Sequence, residues 1–440
     1  MSDATGLPVS FGAGENLVWK TPLPPGYSSP VLSNNRVFVT AHEGPKLFTI
    51  CLELSSGRIL WRRESPKSLV EQPKGPNSPV SSSPATDGAN VYSFFQPFGL
   101  VSYGPDGEER WRLPLGPFNT PYGFGSSPVT EGNTLLLVAD LDTDSFLIAI
   151  DKDNGKVRWR MERPEATHGY PSPVVYRPPG GPAQILISGA FQLAAYSVES
   201  GEKLWWVNGM AWQAKAMPVI GRDAIFVLSS MPALAELGIP QKFHPFAQML
   251  EQHDANRDGR LSRDETPDAE MKKLWFLFDL DRDDHLSAGE WKVHQARASA
   301  TSALFAIRPG GRGDLTASNI LWRHDKGLPN IPSPLLYRDV LYVLREGGIL
   351  TSFDPASGKV LKQARVEGAV GAYFSSPVAA DGKIFLVNKD GKVAVLKAGA
   401  DWEVLRINDL GEDSWATPAM ADGRLYLRTQ QALYCFGKGD

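Results

Sequence analysis

The sequence predicts an all-β protein, an eight-bladed β-propeller of four-stranded antiparallel blades with a small α-helical insertion in blade five. Three observations predict this fold: a proline-containing signature recurs eight times, strand-like segments follow each copy, and one interval between copies is much longer than the others. Four short strands in a period of about 40 to 45 residues are typical of a propeller blade.

The recurring signature is a small residue followed by proline, and it marks the first strand of each repeat. Its prolines are Pro30, Pro84, Pro128, Pro173, Pro218, Pro334, Pro377 and Pro418. Successive prolines lie 54, 44, 45, 45, 116, 43 and 41 residues apart. Seven intervals separate eight repeats, and the fifth interval contains an insertion.

Three further strands are predicted within each repeat. Residues 36–39 and 383–387 are typical second strands, residues 146–150 are a typical third strand, and the fourth strand often ends in Trp. Apolar residues recur every second position and are rich in β-branched and aromatic types, which favours strands over helices. In four repeats a glycine precedes the tryptophan by four residues: Gly57 and Trp61, Gly107 and Trp111, Gly155 and Trp159, Gly201 and Trp205.

The eighth repeat lacks a fourth strand of its own, since the chain ends soon after its third strand at residues 432–436. Residues 16–20, which include Trp19, have fourth-strand character and precede the first repeat. We therefore expect this N-terminal strand to complete blade eight and close the ring. Closure also covers a strand edge that would otherwise favour aggregation.

The repeats resemble those of the pyrroloquinoline-quinone-like, or quinoprotein-type, eight-bladed propeller family. Close matches to that family's repeat are Asp381-Gly382-Lys383-Ile384-Phe385-Leu386-Val387 and Ile150-Asp151-Lys152-Asp153-Asn154-Gly155-Lys156-Val157-Arg158-Trp159. The resemblance implies a propeller fold and an extracytoplasmic location, in the periplasm or outside the cell. It leaves the activity open, because the family includes both quinone-dependent dehydrogenases and non-catalytic scaffolds.

The insertion, residues 231–302, divides the propeller into residues 1–230 and 303–440, and it contains two segments with the spacing of an EF-hand calcium loop. In that pattern, positions 1, 3, 5 and 12 supply side-chain oxygens and position 7 supplies a backbone carbonyl. The predicted calcium ligands are Asp254, Asn256, Asp258, Arg260 and Glu265 in the first loop and Asp279, Asp281, Asp283, His285 and Glu290 in the second.

The two loops differ at position 6, where the chain turns sharply. The first loop has Gly259 there, and the second has Asp284. This position needs a left-handed backbone, which costs Asp more than Gly. We therefore expect the second site to bind calcium more weakly, although its four carboxylates act in the opposite direction.

Residues 266–278, between the loops, fit one shared helix with an apolar face formed by Met271, Leu274, Trp275 and Phe278. An aromatic stripe of this kind is usually a core, so we expect it to be the core of the insertion, with a partner-binding groove as the alternative. Leu261 and Leu286 occupy position 8 of their loops and are expected to pair as a short β link.

The insertion follows the second strand of blade five, so it is expected beside the channel mouth where the first strands begin. Segments that enter the first strands supply candidate cofactor-binding residues: His168, Tyr170, Trp212, Lys215, Tyr373 and Trp415. Aromatic rings with a cation and polar groups are suited to a ligand pocket. The alternative is that these residues pack between blades and plug the channel.

Composition excludes several functional classes. The chain has 45 Lys and Arg against 49 Asp and Glu, a formal charge of −4, which argues against nucleic acid as a partner. No apolar run is long enough to span a membrane, and the first residues lack a signal-peptide pattern, so we expect any export signal to be absent or removed. Cys51 and Cys435 stand apart, whereas the quinone enzymes of the resembled family have an adjacent cysteine pair.

Together these features predict a monomeric, extracytoplasmic, calcium-binding propeller that acts as a non-catalytic scaffold. A protein partner or small ligand is expected on the face that carries the insertion, and no catalytic residue is identified by motif. The alternative is a divergent pyrroloquinoline-quinone-dependent dehydrogenase that uses the aromatic mouth. Calcium is expected at two sites under both hypotheses, and the quinone only under the second.

Overall fold

The computed structural model describes residues 3–69, 76–116, 118, 120, 122–231 and 244–438. Eight sheets of antiparallel strands form the blades; the last blade takes its outer strand from the N-terminal region, and blade four has an additional parallel strand. First strands contact each other at several junctions between neighbouring blades, including the junction of blades one and eight. The predicted eight-bladed β-propeller is therefore confirmed.

The first strand of the chain is β1 (Leu17–Pro22), which belongs to the last blade. Blades one to four then contain β2 (Val31–Ser33), β3 (Arg36–Glu43), β4 (Lys46–Glu53) and β5 (Ile59–Glu64); β6 (Ala85–Thr86), β7 (Val91–Phe95), β8 (Gly99–Tyr103) and β9 (Glu109–Pro114); β10 (Val129–Glu131), β11 (Thr134–Ala139), β12 (Phe146–Asp151) and β13 (Val157–Glu162); and β14 (Val174–Tyr176), β15 (Gln184–Ser188), β16 (Gln192–Ser197) and β17 (Lys203–Asn208).

Blade five is interrupted by the insertion. Its strands are β18 (Val219–Ile220), β19 (Ile225–Ser229), β22 (Ala303–Ile307) and β24 (Ile320–His324), while β20 (Leu261–Ser262) and β21 (His285–Leu286) pair within the insertion and β23 (Gly313–Asp314) joins the outer edge of blade four. Blades six to eight contain β25 (Leu335–Tyr337), β26 (Val340–Arg345), β27 (Ile349–Phe353) and β28 (Val360–Arg365); β29 (Val378–Ala380), β30 (Lys383–Val387), β31 (Lys392–Lys397) and β32 (Glu403–Asp409); and β33 (Ala419–Ala421), β34 (Arg424–Arg428) and β35 (Ala432–Gly437).

The inner strands differ from the outer strands in burial. Every residue of β11 is buried, because both faces of the sheet pack against neighbouring blades. Exposed and partly buried residues alternate along the end of β13, on the rim of the ring. The second and third strands therefore consist of nearly continuous apolar residues, as expected of strands covered on both faces.

Neighbouring blades are joined by a repeated contact between a tryptophan and a glycine. The Trp111 ring of blade two lies against Gly155 of blade three, and its Nε1 donates to the Lys152 carbonyl at 2.8 Å. Trp61 makes the equivalent contact with Gly107. The repeated Gly and Trp positions thus stabilise the ring by contacts between successive blades.

The N-terminal strand closes the ring as predicted. β1 pairs antiparallel with β35, with Trp19 opposite Cys435. The Trp19 indole continues across to blade one, where its Nε1 donates to the Leu54 carbonyl at 3.1 Å. Upstream, Leu7 and Phe11 are buried in the core between blades seven and eight.

The insertion leaves blade five between adjacent strands, since β19 pairs directly with β22. Its helices are α1 (Phe246–His253), α2 (Ala269–Lys273) and α3 (Ala288–Ser299), and α2 is followed by a 3-10 helix (Trp275–Leu277). The shared helix expected between the loops is therefore a short α-helix that tightens into a 3-10 turn. The first part of the insertion, residues 232–243, lies outside the described residues.

A short helix, α4 (Thr316–Asn319), follows β23 and precedes the outer strand of blade five. β23 pairs in parallel with β17, with Gly313 opposite Trp205. The indole of Trp205 donates to Gln184 in its own blade at 3.0 Å. Blade four thus gains a fifth strand at its outer edge.

Candidate ligand pocket and calcium loops

A cavity of about 550 Å³ lies at the mouth of the propeller, on the face that carries the insertion. Its wall combines residues that enter the first strands of the blades with residues of the insertion. Pocket-lining residues from the propeller include Tyr27, Tyr122, Tyr170, Trp212, Lys215, Asn330, Phe374 and Trp415. This volume is within the usual range for a small-molecule site.

A belt of hydroxyl groups surrounds the cavity. The position before each signature proline holds Ser29, Ser83, Ser127, Ser172, Ser333, Ser376 and Thr417 in seven blades and Met217 in blade five. At seven of these positions the backbone N–H donates to the hydroxyl of the next blade, at 2.8 to 3.1 Å. Ser172 is the exception because Met217, which follows it, has no hydroxyl. The Ser-Pro signature therefore also links the blades around the mouth.

Three aromatic rings form a stack along one side of the cavity. The Trp415 ring lies between Tyr27, at a centroid distance of 4.4 Å and an interplanar angle of 2°, and Phe374, at 3.8 Å and 13°. The Lys389 ammonium lies 5.8 Å from the Trp415 ring centroid. All three residues line the cavity, and the two neighbouring rings cover the faces of the Trp415 ring.

Lys215 brings a cation into the same cavity. Its Nζ donates to Asn330 Oδ1 at 2.7 Å, so its hydrogen-bond partner is a neutral amide. Burial lowers the pKa of the Lys215 ammonium to about 8. A partly desolvated ammonium whose hydrogen-bond partner is an amide is suited to an anionic ligand, because the ligand's charge would offset the cost of burial.

Four of the six predicted pocket residues, Tyr170, Trp212, Lys215 and Trp415, line the cavity. His168 and Tyr373 lie behind it. The His168 ring is buried with its Nδ1 2.6 Å from Asp142 Oδ1, and burial lowers its pKa. The Tyr373 hydroxyl donates to the Ala369 carbonyl within the core of blades six and seven. Position near a first strand identified these two residues, but it did not reveal which way their rings point.

The insertion supplies part of the pocket wall, which the sequence did not indicate. Leu274 and Leu277, from the segment between the calcium loops, line the cavity together with Met231. Leu277 also packs in the insertion's core with Trp275 and with Trp212 of the propeller. The predicted core of the insertion is therefore continuous with the mouth of the propeller.

The two predicted calcium loops have matching hydrogen bonds. The carboxylate at position 1 accepts the backbone N–H of position 6 at 3.0 Å in both loops, from Gly259 to Asp254 and from Asp284 to Asp279. The glutamate at position 12 accepts a serine N–H, from Ser262 at 2.9 Å and from Ser287 at 2.8 Å. These contacts turn both loops inward around their acidic residues.

The backbone at position 6 is left-handed in both loops, with φ of 80° at Gly259 and 64° at Asp284. The left-handed conformation expected of Asp284 is therefore present. Leu261 pairs with Leu286, as predicted for the link between the loops. The loops also contact each other through an ion pair between the Arg260 guanidinium and Asp283.

The second loop buries more negative charge than the first. Asp279 and Glu290 are only 3% and 7% exposed, and burial raises the pKa of both carboxyl groups. Carboxylate oxygens of Asp279, Asp281 and Asp283 lie within 4.8 Å of one another. In the first loop, hydrogen bonds from Ser262 lower the pKa of the half-buried Glu265. The carboxylates at positions 1 and 12 are therefore more buried in the second loop than in the first.

A family model described as outer membrane protein assembly factor BamB matches residues 48–234 and 312–438. The chain belongs to this PQQ-like propeller family. The part of the chain between the two matched segments contains the two predicted calcium loops. The BamB-like family match thus covers the repeats and leaves the insertion as an addition to them.

Solved structures with similar folds include BamB and two dehydrogenases. BamB from Moraxella catarrhalis aligns with a TM-score of 0.59 and 10% identity, over 95% of this chain and 100% of that protein. The quinohemoprotein alcohol dehydrogenase from Comamonas testosteroni aligns with a TM-score of 0.61 and 12% identity, over 96% and 77%. A europium-containing methanol dehydrogenase aligns with a TM-score of 0.59 and 10% identity, over 96% of this chain and 93% of that protein. At these identities the likeness shows the fold alone. No curated protein matches the sequence.

The cysteines of this BamB-like chain are packing residues. Cys51 lies on β4 and Cys435 on β35, both buried as free thiols. Burial raises the pKa of Cys51 to about 12 and that of Cys435 to about 11. Both thiols are therefore protonated at neutral pH and poorly reactive.

No helix in the described ranges has the length and apolar character needed to cross a membrane.

Proposed function

We propose that this BamB-like protein is a calcium-binding, non-catalytic scaffold that holds a protein partner or small ligand at the face carrying the insertion. We further propose that it acts outside the cytoplasm as a monomer. The calcium proposal rests on the matching sets of oxygen donors in the two loops. The location is proposed from the matched family, whose description places it in outer membrane protein assembly.

The donor chemistry of both loops suits calcium. The first loop would hold the ion with Asp254, Asn256, Asp258, Glu265 and the Arg260 carbonyl, and the second with Asp279, Asp281, Asp283, Glu290 and the His285 carbonyl. All these donors are oxygens, which a hard cation prefers. When bound, calcium supplies positive charge that balances the clustered carboxylates. The helices on either side of each loop are then fixed relative to each other.

Calorimetric titration of the metal-stripped protein with calcium tests this function. We expect two binding events, because each loop presents a complete set of oxygen donors. Asp279→Asn is expected to weaken one site at least about tenfold by removing a position-1 carboxylate, and Asp254→Asn to do the same for the other.

Asp264→Asn is the matched control for both variants. Asp264 lies in the first loop but is not a predicted ligand, so its replacement makes the same change of charge without removing a donor. No heat from the wild-type protein, or equal losses in all three variants, would contradict the assignment of these loops as calcium sites.

A second candidate function is a quinone-dependent dehydrogenase, favoured by the stack around Trp415 and the adjacent Lys215 cation. An anionic quinone would lie beside this aromatic wall while Lys215 balanced its charge. Against this candidate, the buried Cys51 and Cys435 lie on different blades and do not form the adjacent pair expected of the quinone enzymes.

Titration of the calcium-loaded protein with pyrroloquinoline quinone separates the two functions. For a scaffold we expect no saturable one-to-one quenching of tryptophan fluorescence up to high micromolar quinone. Saturable quenching that weakens in both Lys215→Met and Trp415→Ala would instead support the dehydrogenase. Lys326→Met, an exposed lysine away from the cavity lining, controls for general loss of charge.

A further inference from the structure

A buried cluster of charged and polar side chains joins the insertion to the propeller. Asp142 lies in the loop between β11 and β12 of blade three, and His168 lies in the segment that enters blade four. Arg297 comes from α3 of the insertion, and its guanidinium lies 4.1 Å from the ring centroid of Trp212, which enters blade five. All four side chains are buried. The cluster therefore lies where the insertion meets the propeller.

The propeller itself holds Asp142 and His168 together. The His168 Nδ1 lies 2.6 Å from Asp142 Oδ1. The backbones of the same two segments are joined as well, because the Gly169 N–H donates to the Asp140 carbonyl at 3.1 Å. His168 has φ of 47°, a left-handed conformation that histidine adopts more readily than most residues. This pair therefore stays with the propeller when the insertion moves.

Arg297 depends on the same carboxylate. Its Nη1 donates to the Leu277 carbonyl within the insertion, whereas its Nε and Nη2 have no hydrogen-bond partner in the part of the chain that the structure describes. Asp142 is the carboxylate whose charge attracts this buried guanidinium. A buried cation needs such a counter-charge. One carboxylate therefore serves two groups, His168 of the propeller and Arg297 of the insertion.

Three other titratable groups face the cluster. Tyr122 and Tyr170 of the propeller are phenols whose pKa burial raises above the usual 10, so they stay neutral in acid. His294 lies on α3, with its Nε2 2.9 Å from the Phe278 carbonyl and its Nδ1 3.2 Å from the Arg297 guanidinium. Its partners belong to the insertion and move with it. His168 is therefore the titratable group of the propeller that faces Arg297.

We propose that the insertion is a lid on one side of the mouth and that protonation of His168 releases it. While His168 is neutral, the Asp142 charge stabilises Arg297 and the insertion stays docked. Protonated His168 takes Asp142 as its own ion-pair partner and repels Arg297 as a second buried cation. Leu274 and Leu277 line the cavity from the insertion, so release opens the mouth on that side. The proposal depends neither on calcium nor on what the mouth holds.

The sign of the pH effect follows from the burial of His168. Burial lowers the pKa of His168 in the docked state, and exposure on release returns it towards the ordinary value of about 6.5. Release therefore takes up a proton, and the docked state loses stability as the pH falls below about 6.5. Because one histidine titrates, the equilibrium constant for release rises by at most about thirtyfold between about pH 8 and pH 5.

Hydrogen exchange followed by mass spectrometry measures release. Trp212 of the propeller completes the core of the insertion, so a released insertion loses this packing and its amides exchange faster. The α3 amides of the full chain are followed from about pH 8 to pH 5 at saturating calcium, with the intrinsic exchange rate corrected at each pH. We expect their protection to fall by about threefold to thirtyfold, whereas the amides of β11 in blade three keep theirs.

Three variants test the mechanism. His168→Asn removes the titrating group and suits the left-handed backbone, so it should bring the ratio of protection at the two pH values close to one. His324→Asn is the matched control, because His324 lies on β24 and contacts the Lys326 carbonyl, and the ratio should be that of the wild type. In Arg297→Met, protonated His168 keeps its partner without expelling a cation, so the ratio should also fall towards one.

Circular dichroism establishes that each variant is folded, and each outcome bears on one step. A wild-type ratio equal to that of His168→Asn would overturn His168 as the trigger, and so would an equal loss in His324→Asn. An unchanged ratio in Arg297→Met would overturn the competition for Asp142. Calorimetry of calcium binding tests the proposed function separately, so either proposal can fail alone.

Discussion

Deletion of residues 1–20 is expected to prevent the propeller from folding stably. β1 provides the outer strand of blade eight, and the residues before it bury Leu7 and Phe11 between blades seven and eight. The deletion removes three large buried apolar side chains, those of Leu7, Phe11 and Trp19. The burial of each contributes about 1.5 to 3 kcal/mol to the free energy of unfolding. Their sum approaches the total stability of about 5 to 15 kcal/mol typical of a folded domain.

Thermal unfolding followed by circular dichroism measures this effect. The deletion variant should lack a cooperative transition or unfold at a much lower temperature, and its exposed β35 edge should promote aggregation. Val18→Ala is the matched control within the same strand, since Val18 is exposed and its replacement should change the free energy of unfolding by less than about 0.5 kcal/mol. An unchanged Tm for the deletion would contradict closure by β1.

The fold was predictable because the sequence repeats. Each Ser-Pro position marks a first strand, and the Gly and Trp positions recur because each Trp111-type ring needs a glycine on the next blade. The repeat pattern does not indicate which blade each tryptophan ring contacts. Trp61 follows Gly57 by four residues in sequence, yet it packs against Gly107 of the next blade. Spacing along the chain therefore revealed the recurring Gly and Trp positions, but not which glycine each tryptophan contacts.

The candidate site was predictable only in part. Loop spacing sets the positions of the acidic residues, and local hydrogen bonds such as Gly259 to Asp254 follow from that spacing. The pocket depends on contacts between distant segments, such as Leu277 of the insertion with the mouth and Lys215 with Asn330. No local pattern encodes such contacts. Side-chain direction is equally non-local, which is why Tyr373 was expected in the pocket but lies in the core.

The contact between Trp111 and Gly155 provides the second large effect on stability. Trp111→Ala is expected to lower the free energy of unfolding by about 3 to 5 kcal/mol, because it removes a buried indole between blades. Gly155→Ala is expected to lower the free energy of unfolding by about 3 kcal/mol, for two reasons. Gly155 has φ of 75°, which disfavours a side chain by about 1 to 2 kcal/mol. Its new Cβ would lie 2.8 Å from the indole, which adds about 1 to 3 kcal/mol of overpacking.

Urea unfolding of the two single variants and the double variant separates these contributions. In the Trp111→Ala background the clash is absent, so Gly155→Ala should cost only the backbone contribution of about 1 to 2 kcal/mol. Gly132→Ala is the matched control: its φ is 54° and no atom lies within 4 Å of the added Cβ, so it should show the backbone cost alone. If the costs at Gly155 and Trp111 were additive, the added Cβ would not meet the indole, which would contradict the contact. A coupling of about 1 to 3 kcal/mol would instead show that the Trp111 indole occupies the space beside Gly155 of the next blade.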